Sequence, residues 1–168
     1  MLGIAALREL YIHMEWADSH VWRAIGRLAE QDERLQAKLY HVHFTQRAFL
    51  SVWTGAKVPR YDPTSLPTYG QLRAWTEPFY GEANAYLATL ADADLSRTLN
   101  VPWARLFEKA VGRPPGDTTL GQTIFQAANH TTYHRGQVNT RIRELGGEPP
   151  PVDYILWLWT GRPAPEWT

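Results

Sequence analysis

The chain has 168 residues, of which 44% are hydrophobic, so it has the size of one domain and enough apolar side chains for a core. Its 17 basic and 17 acidic residues cancel and form no basic run, so we expect no nucleic acid partner. The absence of cysteine excludes disulfides, cysteine-ligated zinc and a thiol nucleophile within the protein.

The N-terminal stretch carries charges and a histidine where a signal peptide would need an unbroken apolar core. No later stretch approaches the roughly 20 apolar residues that cross a membrane. We therefore expect a cytoplasmic protein without a membrane partner, with residues 1–168 forming a single domain.

Apolar residues recur at steps of three and four along the first third of the chain, which is the period of an α-helix. The first predicted helix runs from about Ile4 to Glu30, and the second from about Asp32 to Thr54. Gly55 follows the second helix, where a left-handed residue commonly ends a helix. The proline-rich stretch 57–67 predicts a loop.

A third helix is predicted after a capping box formed by Thr68 and Gln71, and Pro78 should kink it or, failing that, split it. The apolar period is lost over 91–117, which predicts a long connection containing any strands the fold has.

A second capping box, Thr119 with Gln122, opens the fourth long helix, which ends near Gly146. The apolar stretch Tyr154 to Trp159 predicts a short C-terminal helix docked on the rest. This order predicts an all-α fold, an antiparallel four-helix bundle with a long connection between helices three and four.

Two histidines, His130 and His134, are one turn apart on the predicted fourth helix and share one of its faces. Such a pair is as often a metal site as a pair of hydrogen-bonded core residues. The zincin motif H-E-x-x-H would need a glutamate after the first histidine, but Thr131 is there, so that mechanism is set aside.

The spacing of the histidines in the sequence does not identify the third metal ligand. The second helix offers His41 and His43, and the first offers His13 and His20. Helical periodicity favours His43, which lies near the apolar stripe, whereas His41 points away from it.

Four stretches resemble the DinB/YfiT-like family of small metal-binding four-helix bundles. On the second helix, His41, Gln46 and Gly55 match the family spacing, whereas His43 does not. On the fourth, residues 130–137 match the pattern H-x-x-x-H-R-G-Q. The stretch EWADSHVW resembles a W-A-N element, with Asp18 in place of asparagine, and VPW at 101–103 resembles another recurring segment.

This resemblance implies a site in which His41, His130 and His134 hold Zn²⁺ or Ni²⁺ and solvent completes the coordination shell. Family members include thiol-dependent transferases and isomerases, and others are described as metal-dependent hydrolases. The resemblance therefore favours a metal-dependent enzyme that acts on a small molecule, with a low-molecular-weight thiol as a candidate partner, over a non-catalytic metal-binding stress-response protein.

The remaining polar residues near these motifs give weaker predictions. Asp18 and Glu15 are acid/base candidates by residue type, although solvated helix charges are the expectation we favour, so no catalytic residue is named. Packing or support of the ligands is expected of Arg135 and Gln137, and Gly136 is expected to allow close helix approach.

Two predictions concern surfaces. Trp103 is expected either to line a pocket mouth or to plug an end of the bundle. Because helix bundles this rich in aromatic residues often leave an apolar patch outside the core, we also expect a homodimer.

Overall fold

The computed structural model describes residues 2–167, so the two terminal residues of the predicted 1–168 domain lie outside the described residues. The helices are α1 Ile4–Ile25, α2 Glu33–Thr54, α3 Tyr69–Ala88, α4 Ala104–Val111, α5 Leu120–Glu144 and α6 Tyr154–Trp159. Two short strands, β1 Thr98–Leu99 and β2 Thr118–Thr119, pair in an antiparallel ribbon. The predicted all-α class is confirmed.

The four long helices α1, α2, α3 and α5 form the predicted bundle. Each of α1 and α2 packs against both α3 and α5, so α1 and α2 lie on opposite sides of the bundle. Because Asp32 at the start of α2 pairs with Arg141 near the end of α5, these two helices run antiparallel. Helices α2 and α3 run parallel, since Asp32 also contacts Tyr69 and Arg47 pairs with Glu82.

The connection between α2 and α3 explains how consecutive helices can run in the same direction. Helix α2 has 22 residues and is therefore roughly 33 Å long. The connecting residues 55–68 reach roughly 45 Å when extended. The chain can therefore return along the whole bundle before α3 begins.

The predicted helix ends are largely confirmed. The Asp32 side chain accepts a hydrogen bond from the backbone N–H of Leu35, and Gly55 ends α2 in the left-handed region at φ 72°. Capping boxes open α3 at Thr68 and α5 at Thr119. Helix α3 runs unbroken through Pro78, so it is not split there.

Helix α1 was predicted too long, because it ends at Ile25 rather than Glu30. The apolar pattern continued to Leu28, but this residue packs on the core from the turn that follows the helix. Its side chain fills the space beside Gly147, where an added Cβ would lie 2.6 Å from Leu28 Cδ2. The apolar side chain of Leu28 therefore reflects packing on the core and does not indicate helical structure.

Helix α4 lies in the segment 91–117, where the sequence predicted only an irregular connection. It has eight residues and buries none of them; Leu106, Phe107 and Val111 are all exposed. Periodicity misses such an element because a short, unburied helix has no apolar stripe of useful length. Strand β1 lies in the predicted segment, and β2 follows directly after it.

The C-terminal helix α6 docks on the bundle as predicted. Its Trp157 is 1% exposed and packs with Trp16 and Ala17 of α1. Within residues 2–167, no helix is both long and apolar enough to cross a membrane.

Candidate metal centre

Three histidines converge where α2 packs against α5. His41 lies on α2, and His130 and His134 lie one turn apart on α5. Each offers a ring nitrogen, and these three nitrogens all lie within 4.8 Å of one another. The structure therefore brings together the three histidines that the resemblance named.

The spacing of these nitrogens fits one small cation. Nε2 of His41 and Nε2 of His130 are 3.2 Å apart. Two nitrogens bound tetrahedrally to one Zn²⁺ at about 2.0–2.1 Å would be about 3.3 Å apart. Neutral imidazoles are also common ligands for zinc and nickel, so the donor set suits the divalent ions that the resemblance implied.

The orientation of His134 is set by a neighbour on its own helix. Its Nδ1 lies 3.0 Å from Oε1 of Gln137, and the Lys38 ammonium lies 3.5 Å from the same oxygen. Because this oxygen is an acceptor, Nδ1 of His134 donates to it, and the neutral ring then has its lone pair on Nε2. Gln137 thus has the supporting position predicted for it.

The environment of His41 and His130 favours neutral rings. Burial, followed by the neighbouring His134, lowers the pKa of His41 below its ordinary value. Burial, followed by His134 and His41, lowers the pKa of His130 from 6.5 to about 4. Neutral rings can coordinate a cation because their lone pairs are not protonated.

A cavity of about 730 Å³ opens beside two of these histidines, His41 and His130. Its walls include residues from α2, from the loop before α3 and from the segment around α4. Trp103 lines the cavity and also packs edge-on against Phe49 at 5.0 Å between ring centroids. This volume lies in the range typical of small-molecule sites.

Sequence comparison identifies the family of proteins to which this chain is related. Residues 3–166 match the DinB family. The chain belongs to the DinB family. It is also similar to Protein DinB of Bacillus subtilis (strain 168), with 22% identity over 172 aligned residues that cover 90% of this chain and 92% of that protein. The family resemblance indicated by the sequence motifs is therefore confirmed.

His43 of this DinB family member, which periodicity favoured as the third ligand, lies in the core instead. It is 3% exposed, and its Nε2 accepts a hydrogen bond from Trp22 Nε1 at 3.2 Å. Its Nδ1 donates to Oε1 of Gln46 at 2.9 Å. Both ring nitrogens are therefore used within the protein, and His43 is absent from the cluster.

Gln46 connects His43 to a wider buried network. Its amide nitrogen lies 3.2 Å from Tyr80 Oη, 3.2 Å from Thr131 Oγ1 and 3.3 Å from Asp18 Oδ2. The sequence indicated Gln46 only as part of a family pattern. The structure places it where α1, α2, α3 and α5 meet, rather than beside the triad.

The expectation that Asp18 is a solvated helix charge is wrong. It is 5% exposed, accepts from Tyr80, and pairs with Arg135 at 2.8 Å. Burial by itself would raise the pKa of Asp18, but Arg135, His43 and the Tyr80 hydrogen bond together lower it below the ordinary value. Arg135 thus has a packing role inside the core, next in sequence to a triad histidine.

The other candidates from the first helix lie outside the cluster. His13 contacts the Val152 carbonyl oxygen at 3.0 Å, and His20 contacts the carbonyl oxygen of Trp16. Glu15 is half-buried, and burial raises its pKa despite hydrogen bonds from Trp167 and Asn84.

The prediction for Gly136 is also wrong. The residue is exposed, and a Cβ added there would meet no atom within 4 Å. Helix α5 therefore approaches no neighbour closely at this position, and the glycine is not explained by packing.

Proposed function

We propose that this chain is a divalent-metal-dependent enzyme that acts on a small molecule by hydrolysis or by transfer to a thiol sulfur. His41, His130 and His134 are the proposed ligands of a Zn²⁺ or Ni²⁺ ion. The observation that carries the proposal is the convergence of three imidazoles at the wall of a cavity large enough for a substrate. Catalytic zinc sites commonly have three protein ligands and an open position.

The makeup of the cluster favours catalysis over a structural site. Within residues 2–167, no fourth histidine, cysteine, aspartate or glutamate joins the three histidines. A structural zinc usually has four protein ligands, which close its shell. Three protein ligands leave one coordination position for solvent or substrate. A catalytic site needs such a position, whereas a non-catalytic metal-binding stress-response protein does not.

The chain's own residues would hold the ion and shape the space beside it. Helices α2 and α5 supply the ligands, and Gln137 fixes the ring of His134. A divalent ion held by these residues would lower the pKa of a bound water or thiol and would polarise a substrate carbonyl. Because the chain contains no cysteine, any thiol would come from a second small molecule.

The test begins with protein stripped by a chelator. Zn²⁺ or Ni²⁺ is then added back, and binding is followed by calorimetry while hydrolysis of small esters and amides and thiol transfer to electrophiles are assayed. We expect one ion per chain and activity only in the loaded protein. Activity that survives complete removal of metal would exclude the mechanism, and a loaded protein inactive across the panel would favour the non-catalytic alternative.

We also propose a homodimer, and the exposed apolar side chains of Leu106, Phe107 and Val111 on α4 support it. Sedimentation at micromolar concentration should give the mass of two chains. A monomer at that concentration would rule the dimer out.

A further inference from the structure

The walls of the cavity beside the triad are mainly aromatic and aliphatic. Two aromatic pairs contribute to them: Phe44 with Tyr61, at 4.8 Å between ring centroids, and Phe49 with Trp103, at 5.0 Å. Faces and edges of aromatic rings pack favourably on other apolar or aromatic groups. This part of the cavity therefore fits a hydrophobic body better than a highly polar one.

Among the residues that line this cavity, one exposed side chain carries a formal charge. Arg105, in the first turn of α4, is the one lysine, arginine, aspartate or glutamate among the cavity-lining residues that the structure describes. Its guanidinium takes part in no ion pair within residues 2–167, whereas the cation of Arg47, which also lies near the bundle surface, pairs with Glu82. A guanidinium presents several N–H donors in the planar arrangement that suits carboxylate, sulfonate and phosphate groups.

We propose that the cavity selects an organic anion with an aromatic or otherwise apolar body, whose acidic group pairs with Arg105. This inference rests on the proposed function, because it names the substrate class of the same site. The aromatic walls provide affinity through burial of apolar surface, and Arg105 provides the preference for charge. A cation held by the triad would add to the positive charge that the anion meets.

Selectivity for charge can be tested in protein stripped of metal. Two fluorescent probes share a fused aromatic body: anilinonaphthalene sulfonate carries an acidic group, and phenylnaphthylamine is neutral. We expect the unaltered protein to bind both, and Arg105→Gln to weaken binding of the sulfonate about fivefold while leaving the neutral probe within about twofold. Equal effects on the two probes, or no effect on either, would overturn the proposal.

Two further variants distinguish binding in the cavity from an effect of net charge and from binding elsewhere on the protein. Lys109→Gln removes the same charge from the same helix at a position that does not line the cavity, and should change neither affinity by more than about twofold. An effect equal to that of Arg105→Gln would assign the selectivity to net charge and overturn the proposal. Thr45→Phe adds bulk to the cavity wall and should weaken both probes. Unchanged binding of both would mean that the probes bind elsewhere, which also overturns it.

Circular dichroism and thermal melting of each variant verify that it is folded. Because the probes are measured without metal, failure here leaves the metal-dependent function intact. Failure to bind Zn²⁺ or Ni²⁺ in the calorimetric titration would instead remove the proposed function while leaving the charge preference of the cavity measurable.

Discussion

His41 and His43 are two residues apart on α2, yet they belong to different regions of the molecule. His43 lies in the core, where Trp22 and Gln46 satisfy both of its ring nitrogens. His41 lies at a cavity wall, where its ring nitrogen meets another histidine, 3.2 Å away. A buried imidazole with two protein partners has no lone pair left for an ion, so the hydrogen-bond partners of each ring distinguish a structural histidine from a candidate ligand.

The same contrast extends to the surroundings of the two rings. The core network around Asp18 is closed, since its carboxylate pairs with Arg135 and accepts from Tyr80. The triad consists of three imidazole rings, which have few hydrogen-bond partners apart from one another. The first arrangement stabilises the fold when complete, whereas the second becomes favourable when a cation is bound.

The largest expected effect belongs to the core. Replacing Arg135 with methionine leaves the Asp18 carboxylate buried without its cation, so Arg135→Met should lower the free energy of unfolding by about 3–5 kcal/mol. Urea unfolding of the metal-free protein measures this. The control is Arg23→Met, which breaks an exposed pair with Glu166 and should cost about 0–1 kcal/mol. Equal costs for the two variants would contradict the view of a closed, charged core network.

The next effect separates the two histidines directly. His41→Ala removes one of three proposed ligands and should weaken Zn²⁺ binding at least about 100-fold, because loss of even a supporting group costs 10–100-fold. His43→Ala should leave that affinity within about threefold but lower the free energy of unfolding by about 1–3 kcal/mol, since it leaves Trp22 Nε1–H unpaired. Competition with a chromophoric chelator measures affinity. The reverse pattern would mean that His43 is the ligand.

A smaller effect is expected from the residue that orients His134. Gln137→Ala removes the acceptor of its Nδ1–H and should weaken Zn²⁺ binding about tenfold. Gln126→Ala is the matched control, because Gln126 lies on the same helix and lines the cavity, yet makes no hydrogen bond to a triad ring among the described residues. If both variants bind Zn²⁺ equally well, the hydrogen bond does not support the site.

The mildest test concerns pH in the metal-free protein. The pKa of His130 is about 4 in the folded chain and about 6.5 when unfolded. Between these values the unfolded chain binds more protons, so the free energy of unfolding falls as pH is lowered from about 6.5 to about 4. Urea unfolding at several pH values should show this slope, and His130→Asn should reduce it. An unchanged slope in the variant would assign the pH dependence to other groups.

The sequence predicted the long helices well because each buries a continuous apolar stripe and most have a capping residue at one end. It failed where burial and helical structure diverge. Leu28 is partly buried outside a helix, and the residues of α4 are helical without burial. Single-sequence periodicity reports burial, so it cannot separate these cases.

For the site, periodicity correctly placed His43 near the apolar stripe and His41 away from it. The preference for His43 as a ligand assumes that a ligand points into the core. A ligand must face a space that an ion and substrate can enter, so half-burial at a cavity wall is the more useful criterion. Family spacing selected His41, although neither method predicted the links that join Gln46 to Asp18 and Thr131.

The cavity walls come from two kinds of structure, and this has a consequence for redesign and divergence. The proposed ligands lie on the long helices α2 and α5, whereas Val58 and Tyr61 lie in the loop before α3, and Pro102 and Trp103 lie just before α4. Connecting segments accept substitutions and insertions more readily than packed helices do. The binding preferences of the cavity can therefore be changed, by selection or in the laboratory, through 57–67 and 100–106 while the helices that carry the proposed ligands keep their sequence.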